Sequence, residues 1–137
     1  MKLRATAVVA AVAGIVLSLF VATPAQAVAS PSISPSNSYP GSPDYIYLPA
    51  GTDYPCPSGT LCVGAWDSNV GQYKVFFLYY CYTYALSNFI GNGFYWDNQT
   101  SGTTSYFYDQ NGVKKKTIVA PTSGTYNWDP IWSIKNC

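Results

Sequence analysis

The sequence predicts an all-β fold. From about Tyr54 onward the chain holds short β-favouring runs, no convincing helical periodicity, and dividers of Gly, Asn, Asp and Pro between the runs. Four cysteines, Cys56, Cys62, Cys81 and Cys137, all lie downstream of an export-type leader, and an even count in a small exported domain implies two disulfides.

The elements follow in chain order. Lys2 and Arg4, the apolar run Ala5 to Ala22, and the small-x-small site Ala25-Gln26-Ala27 read as a signal peptide over residues 1–27. Cleavage there leaves 137 − 27 = 110 residues. Residues 28–53 read as a flexible segment: Ser30 to Ser38 alternates Ser with Pro and other residues, Pro40-Gly41-Ser42-Pro43 continues it, a composition too poor in apolar surface to order itself, and Tyr45-Ile46-Tyr47-Leu48 is a candidate docking strand. Residues 54–137 form the domain. Leu61 to Trp66 is a strand, and Gln72 to Tyr84 holds a long β-favouring run with Val75 to Tyr80 inside it. Asn88 to Asn92 is turn-rich. Phe94 to Trp96, Thr103 to Tyr108, Val113 to Val119 and Asn127 to Ile134 complete the strand set.

Two turns share an order of residue types. Trp66-Asp67-Ser68-Asn69-Val70-Gly71 and Tyr108-Asp109-Gln110-Asn111-Gly112 each run aromatic, Asp, any residue, Asn, then Gly, and each leads into a strand. The aromatic closes the hairpin, Asp and Asn bond the turn backbone, and Gly takes the positive-φ position. The shared order favours an internal duplication over two unrelated turns.

Composition excludes several function classes. Without the leader the chain has five lysines against six aspartates, a net charge of 5 − 6 = −1, so no generally basic nucleic-acid surface is expected. It then has no His, Glu, Arg or Met. Triads built on imidazole and His-ligated zinc centres are therefore out of reach. No pair of aspartates stands in a motif for glycoside or aspartic-protease chemistry. A non-enzyme is expected, with no membrane span after cleavage.

Cys56–Cys62 is the natural local pair because Pro57, Ser58 and Gly59 can turn the chain back, and Cys81 then takes Cys137. The chain-entropy model gives roughly 2 kcal/mol for the short loop and roughly 4 kcal/mol for the long one.

The Cys56-Pro57-Ser58-Gly59-Thr60-Leu61-Cys62 opening, followed by the two aromatic-Asp-x-Asn turns, resembles the βγ-crystallin-type secreted bacterial peptidase inhibitors, a family whose best-known members act on metalloproteinases. The resemblance covers about Tyr54 to Asn111 and, more loosely, the rest. It implies a small βγ-crystallin-like sandwich of two Greek-key motifs, stapled by disulfides and monomeric, with no catalytic residues. It also implies a rigid exposed loop docking into an extracellular protease. The segments Tyr54 to Leu61 and Ser87 to Trp96 are Gly- or Pro-rich connections, and Pro57, Ser58, Gly59, Thr60, Leu61, Phe89 and Phe94 are the candidate contacts. The alternative is a non-enzymatic structural or surface-binding module, stabilised by calcium.

No cofactor is required on this reading. Asp97-Asn98-Gln99-Thr100-Ser101-Gly102 resembles the calcium turn of βγ-crystallin folds, with Gly102 in place of the final hydroxyl. Asp97, Asn98 and Ser101 would supply oxygen ligands, joined by Asp67 and Asp109 from the paired turns. The competing reading is turn geometry alone. Lys114-Lys115-Lys116 is either an anionic contact or a guarded strand edge. Of the 110 residues, 22 are aromatic. Trp66, Trp96, Trp128 and Trp132 are expected mostly in the core, and Tyr79, Tyr80, Tyr82 and Tyr84 on a core or binding face, including a carbohydrate platform.

Overall fold

The structure, a computed structural model, describes residues 26–36 and 41–137. Residues 1–25 of the leader, including Lys2, Arg4 and Ala25, and the stretch 37–40 of the Ser/Pro-rich segment lie outside the described residues. Among those described there is no helix, and no segment long and apolar enough to cross a membrane as one.

The architecture is all-β, two antiparallel sheets of five strands each. The strands are β1 (Ser32–Ser34), β2 (Tyr45–Leu48), β3 (Leu61–Asp67), β4 (Gln72–Leu78), β5 (Thr83–Ser87), β6 (Asn92–Asp97), β7 (Thr104–Tyr108), β8 (Lys114–Val119), β9 (Thr122–Asn127) and β10 (Ser133–Lys135). One sheet runs β2-β4-β3-β6-β9 and the other β1-β5-β10-β7-β8.

Two halves share one connectivity. β3 and β4 form a hairpin, β5 crosses into the opposite sheet, and β6 returns to pair with β3. β7 and β8 repeat the hairpin, β9 crosses, and β10 returns to pair with β7. Each half thus lends its third strand to the other half's sheet. The paired turns close the two hairpins as their residue types require. The Asn69 N–H donates to Asp67 Oδ1 at 3.0 Å and the Asn111 N–H to Asp109 Oδ1 at 2.9 Å, while Gly71 and Gly112 sit at φ 70° and 74°.

The alternation of each strand decides the core. Leu61, Val63 and Ala65 of β3, Phe76 and Leu78 of β4, Tyr84 and Leu86 of β5, Tyr95, Phe107, Ile118 and Ile134 meet between the sheets, with Phe89, Trp128 and Ile131 from the connections. Three tryptophans depart from expectation. Trp66, Trp96 and Trp132 are 38%, 37% and 54% exposed, and only Trp128 of the four is buried. Trp66 and Trp96 stand at outward positions of β3 and β6, and Trp132 on the connection before β10.

Several strands differ from expectation. The long run does not continue through Tyr84, because the chain leaves one sheet after Leu78 and enters the other at Thr83. β5 begins inside the expected run at Thr83 and continues beyond it to Ser87, with Tyr84 and Leu86 alternating with Thr83, Ala85 and Ser87. The stretch from Asn127 to Ile134 holds the end of β9 and part of β10, separated by a turn at Trp128–Ile131.

The Ser/Pro-rich segment is not only a spacer. β1 pairs with β5, placing Ser32, Ile33 and Ser34 opposite Ser87, Leu86 and Ala85, and β2 pairs along β4. The Asn69 amide donates to the Val28 carbonyl and the Asn88 amide to the Ser30 carbonyl at 3.2 Å, so hydrogen bonds as well as apolar burial tie this segment. Ile33 packs on the core and Pro31 is buried. Deleting residues 28–36 is expected to lower stability by about 2 kcal/mol, mostly the Ile33 burial. Urea denaturation of the shortened protein checks this; an unchanged midpoint would show the contacts to be energetically idle.

Candidate functional site

The Cys56–Cys62 bridge, with Cα atoms 5.9 Å apart, closes a tight loop just before β3. Gly59, at φ 82°, makes the reversal. The loop is bolted to the turn that follows β6. The Gly59 N–H donates to the Asn98 carbonyl at 2.8 Å and the Asn98 N–H to the Thr60 carbonyl at 2.9 Å. The Asn98 side-chain amide donates to the Cys56 carbonyl at 2.7 Å. These bonds and the bridge hold the loop's shape without a partner.

Not all of the expected contact residues face solvent. Ser58 is exposed, and Pro57 and Gly59 are half-buried. Thr60 and Leu61 are fully buried, Leu61 as the first core residue of β3. Phe89 is buried against Phe76 and Trp128, with ring centroids 5.5 and 5.7 Å away, and Phe94 lies half-buried over the backbone of Gly64. The two expected contact segments also sit apart. Asp97 pairs with Leu61 at one end of β6, whereas Ser87–Gly91 precedes the other end, roughly 20 Å away at the rise of a six-residue strand.

What joins the braced loop is the crossing segment Tyr79 to Tyr82. A Cβ on Gly59 would lie 3.5 Å from the Tyr79 ring. Tyr79, Tyr80 and Tyr82 are exposed and form a ladder, with centroids 5.3 Å and 5.5 Å apart and the second pair stacked. Tyr82 continues to buried Tyr84 at 5.9 Å. Burial pushes the Tyr84 phenol up to about 12, and its O–H donates to the Tyr80 carbonyl at 3.0 Å.

The second bridge, Cys81–Cys137, lands on this same segment. Buried Asn136 completes the latch, donating from its side chain to the Leu78 and Tyr80 carbonyls at 2.8 and 3.1 Å and from its backbone N–H to the Tyr82 carbonyl at 2.9 Å. Sequence distance hid this convergence: Cys56 and Cys137 are far apart in the chain, yet both bridges brace one end of the sandwich.

The five candidate calcium ligands do not converge. Asp67 and Asp97 stand at opposite ends of β3, roughly 20 Å apart, since Asp97 pairs with Leu61 and Asp67 with Gln72. Burial raises the Asp67 carboxyl, but hydrogen bonds from Ser30, the Asn69 N–H and Tyr47 outweigh it and hold the group below the ordinary carboxylate range. Tyr47 is correspondingly raised, by burial and then by its bond to Asp67. Asp109 is lowered chiefly by the Val113 N–H and is paired with Lys115 at 3.2 Å. Asp97 differs. It is fully buried, its Oδ1 accepts the Gln99 N–H at 3.2 Å, and its Oδ2 has no protein partner. Burial raises its carboxyl. Ser101 is exposed, and the Asn98 side-chain N–H, not its oxygen, is engaged by the Cys56 carbonyl. Among the described residues no three His, Cys, Asp or Glu side chains group as a metal centre.

The lysine run is absorbed locally. Lys115 pairs with Asp109, Lys114 lies 5.1 Å over the Tyr106 ring, and Lys116 lies 5.3 and 5.2 Å over the Tyr95 and Tyr126 rings. Its strand, β8, is a sheet edge, where lysines oppose edge-to-edge pairing.

The braced end therefore offers a pre-shaped loop and stacked phenols, equipment for recognition. Compared with protein-family models, with curated proteins and with solved structures, the chain matches none.

Proposed function

We propose that this chain is an exported, non-enzymatic binding protein of the βγ-crystallin type that docks its disulfide-braced end onto an extracellular peptidase. The observation that carries the reading is the convergence of both disulfides on one end, beside the exposed Tyr79–Tyr80–Tyr82 ladder. Pre-organised loops lose little entropy on binding, and tyrosine gives large contact area with few rotors. Two disulfides are consistent with an oxidising, extracellular-type environment. The duplicated connectivity supports the family assignment.

The test is stoichiometric inhibition of a panel of metallo-, serine and cysteine peptidases by the oxidised protein. One class is expected to be inhibited, and Tyr80→Ala is expected to weaken inhibition about tenfold, the scale of one anchor residue. No inhibition by intact, uncleaved protein overturns the reading.

The orphan Asp97 Oδ2 favours a second reading, a module stabilised by calcium at the turn after β6. Asp97, the Asn98 and Ser101 oxygens and backbone carbonyls are the hard oxygen donors calcium takes, with one carboxylate and hence weak affinity. Asp97→Asn separates the readings. Because the folded carboxyl is raised, the native state holds a proton better than the unfolded chain, so ionisation erodes stability as pH rises through and above the ordinary carboxylate range. Without calcium, Asp97→Asn is expected to raise the Tm at pH 7 and leave it nearly unchanged at pH 3. If calcium binds there, it raises the Tm of the parent protein and not of Asp97→Asn.

A further inference from the structure

We propose that the outer face of the β2-β4-β3-β6-β9 sheet carries a binding site for a neutral oligosaccharide. This goes beyond peptidase recognition and does not depend on it. An antiparallel sheet packed on one face ordinarily turns polar residues to water on the other. The partner sheet obeys along β5, which shows Thr83, Ala85 and Ser87 outward, and β10, which shows Ser133 and Lys135, with Tyr106 and Tyr108 of β7 its outward aromatic residues. The β2-β4-β3-β6-β9 sheet does not. Its outward positions hold a second apolar cluster of Cys62, Val75 and Phe77, with Ile46, Leu48, Tyr73 and Phe94 packed on it.

The chain covers only part of that face. The segment leading into Cys56 lies over it, with Tyr54 6.1 Å from Phe77 and the Cys56–Cys62 bridge pinning it down. Beyond the cover, Trp66 and Tyr73 meet edge to face at 5.1 Å and Tyr73 and Phe94 at 5.3 Å, with Trp96 next along β6. Trp66 and Trp96 are exposed. A cleft of ≈ 210 Å³ opens at the boundary, lined by Tyr54, Tyr73, Phe94 and Trp96 with Asp53 and Thr125.

The neighbouring edge strand supplies the complementary chemistry. Ser123, Thr125 and Asn127 of β9 pair with Trp96, Phe94 and Asn92, so they share the outward face, and all three are exposed. An aromatic stripe therefore runs beside a row of hydroxyl and amide groups over four strands, roughly 14 Å at the inter-strand spacing. Sugar rings present the matching pattern: apolar C–H faces for aromatic rings and hydroxyl edges for short polar side chains. Charge selects among glycans. The cleft has one carboxylate, Asp53, and no cation; Lys74 of β4 points to the opposite face, with its Nζ 4.1 Å over the Tyr45 ring. An acidic polysaccharide finds no countercharge there.

The test titrates the oxidised protein with chitohexaose, cellohexaose and laminarihexaose, followed by tryptophan fluorescence and calorimetry. Saturable binding of at least one is expected, insensitive to salt because the ligand is uncharged. Trp96→Ala, with its Tm compared with that of the parent protein, is expected to weaken it about tenfold or more, with Trp96→Phe recovering most of the loss. Tyr80→Ala, on the peptidase-facing end, is expected to change it less than about twofold. No saturable binding to any of the three overturns the proposal, as does binding unaffected by Trp96→Ala. Binding of an aromatic-rich peptide in place of the sugars would assign the face to protein and overturn it equally.

Discussion

Trp128→Ala is expected to destabilise the fold by about 4 kcal/mol, the upper range for a buried aromatic truncation. The indole is fully buried and lies 5.7, 5.4 and 5.5 Å from the rings of Phe89, Phe107 and Tyr126. It joins the two sheets, since Phe107 belongs to one and Tyr126 to the other. Its Nε1–H also donates to the Gly64 carbonyl at 2.9 Å. Alanine leaves a cavity and an orphaned buried carbonyl together. Trp128→Phe keeps most of the volume and loses the bond, so about 2 kcal/mol is expected. Gly93→Ala attacks the same joint from the other side: a Cβ there would stand 2.1 Å from the Gly64 carbonyl oxygen and 2.2 Å from Trp128 Nε1. Urea denaturation of the three variants at constant m-value measures these costs; a loss below about 1 kcal/mol for Trp128→Ala would mean the core closes over the gap.

Removing the long bridge with Cys81→Ala/Cys137→Ala is expected to cost about 4 kcal/mol, against about 2 kcal/mol for Cys56→Ala/Cys62→Ala, because the first constrains a separation of 56 residues in the unfolded chain and the second a separation of 6. The long bridge has a second consequence. Its loss frees the C-terminal end, and with it the Asn136 bonds that hold the carbonyls of Leu78 and Tyr80. The tyrosine ladder then loses its fixed geometry. Thermal unfolding under non-reducing conditions gives the stability order, and the inhibition assay on the folded fraction gives the effect on the proposed peptidase recognition. Equal costs for the two bridges would contradict the entropic account.

Much of the strand set was legible because it depends on local rules. Short β-favouring runs between turn residues marked β3, β7 and β8, and the Asp-x-Asn turns with their glycines marked two hairpins, since an Asx bond and a positive φ need only neighbours in sequence. β5 as a separate strand, and β9, were missed for opposite reasons. Thr83 to Ser87 was hidden behind a longer hydrophobic run, and Thr122 to Asn127, with outward Ser123 and Thr125 and a central glycine, carries little apolar signal. Gly124 is small because the Tyr95 phenol lies over it, a Cβ there falling 3.0 Å from the hydroxyl oxygen. No neighbour in sequence announces that.

The sequence alone determined the fold class, the turn chemistry, the poverty of catalytic groups and a small cysteine-bridged domain, because composition and short-range spacing suffice for those. Tertiary structure decided where they meet. It exchanged the third strand of each half between sheets, recruited Ser32–Ser34 and Tyr45–Leu48 as strands, separated Asp67 from Asp97, and brought both disulfides to one end. It also left Trp66 and Trp96 outside the core, because the face a strand residue occupies is fixed by pairing register, and register is a property of two strands rather than one.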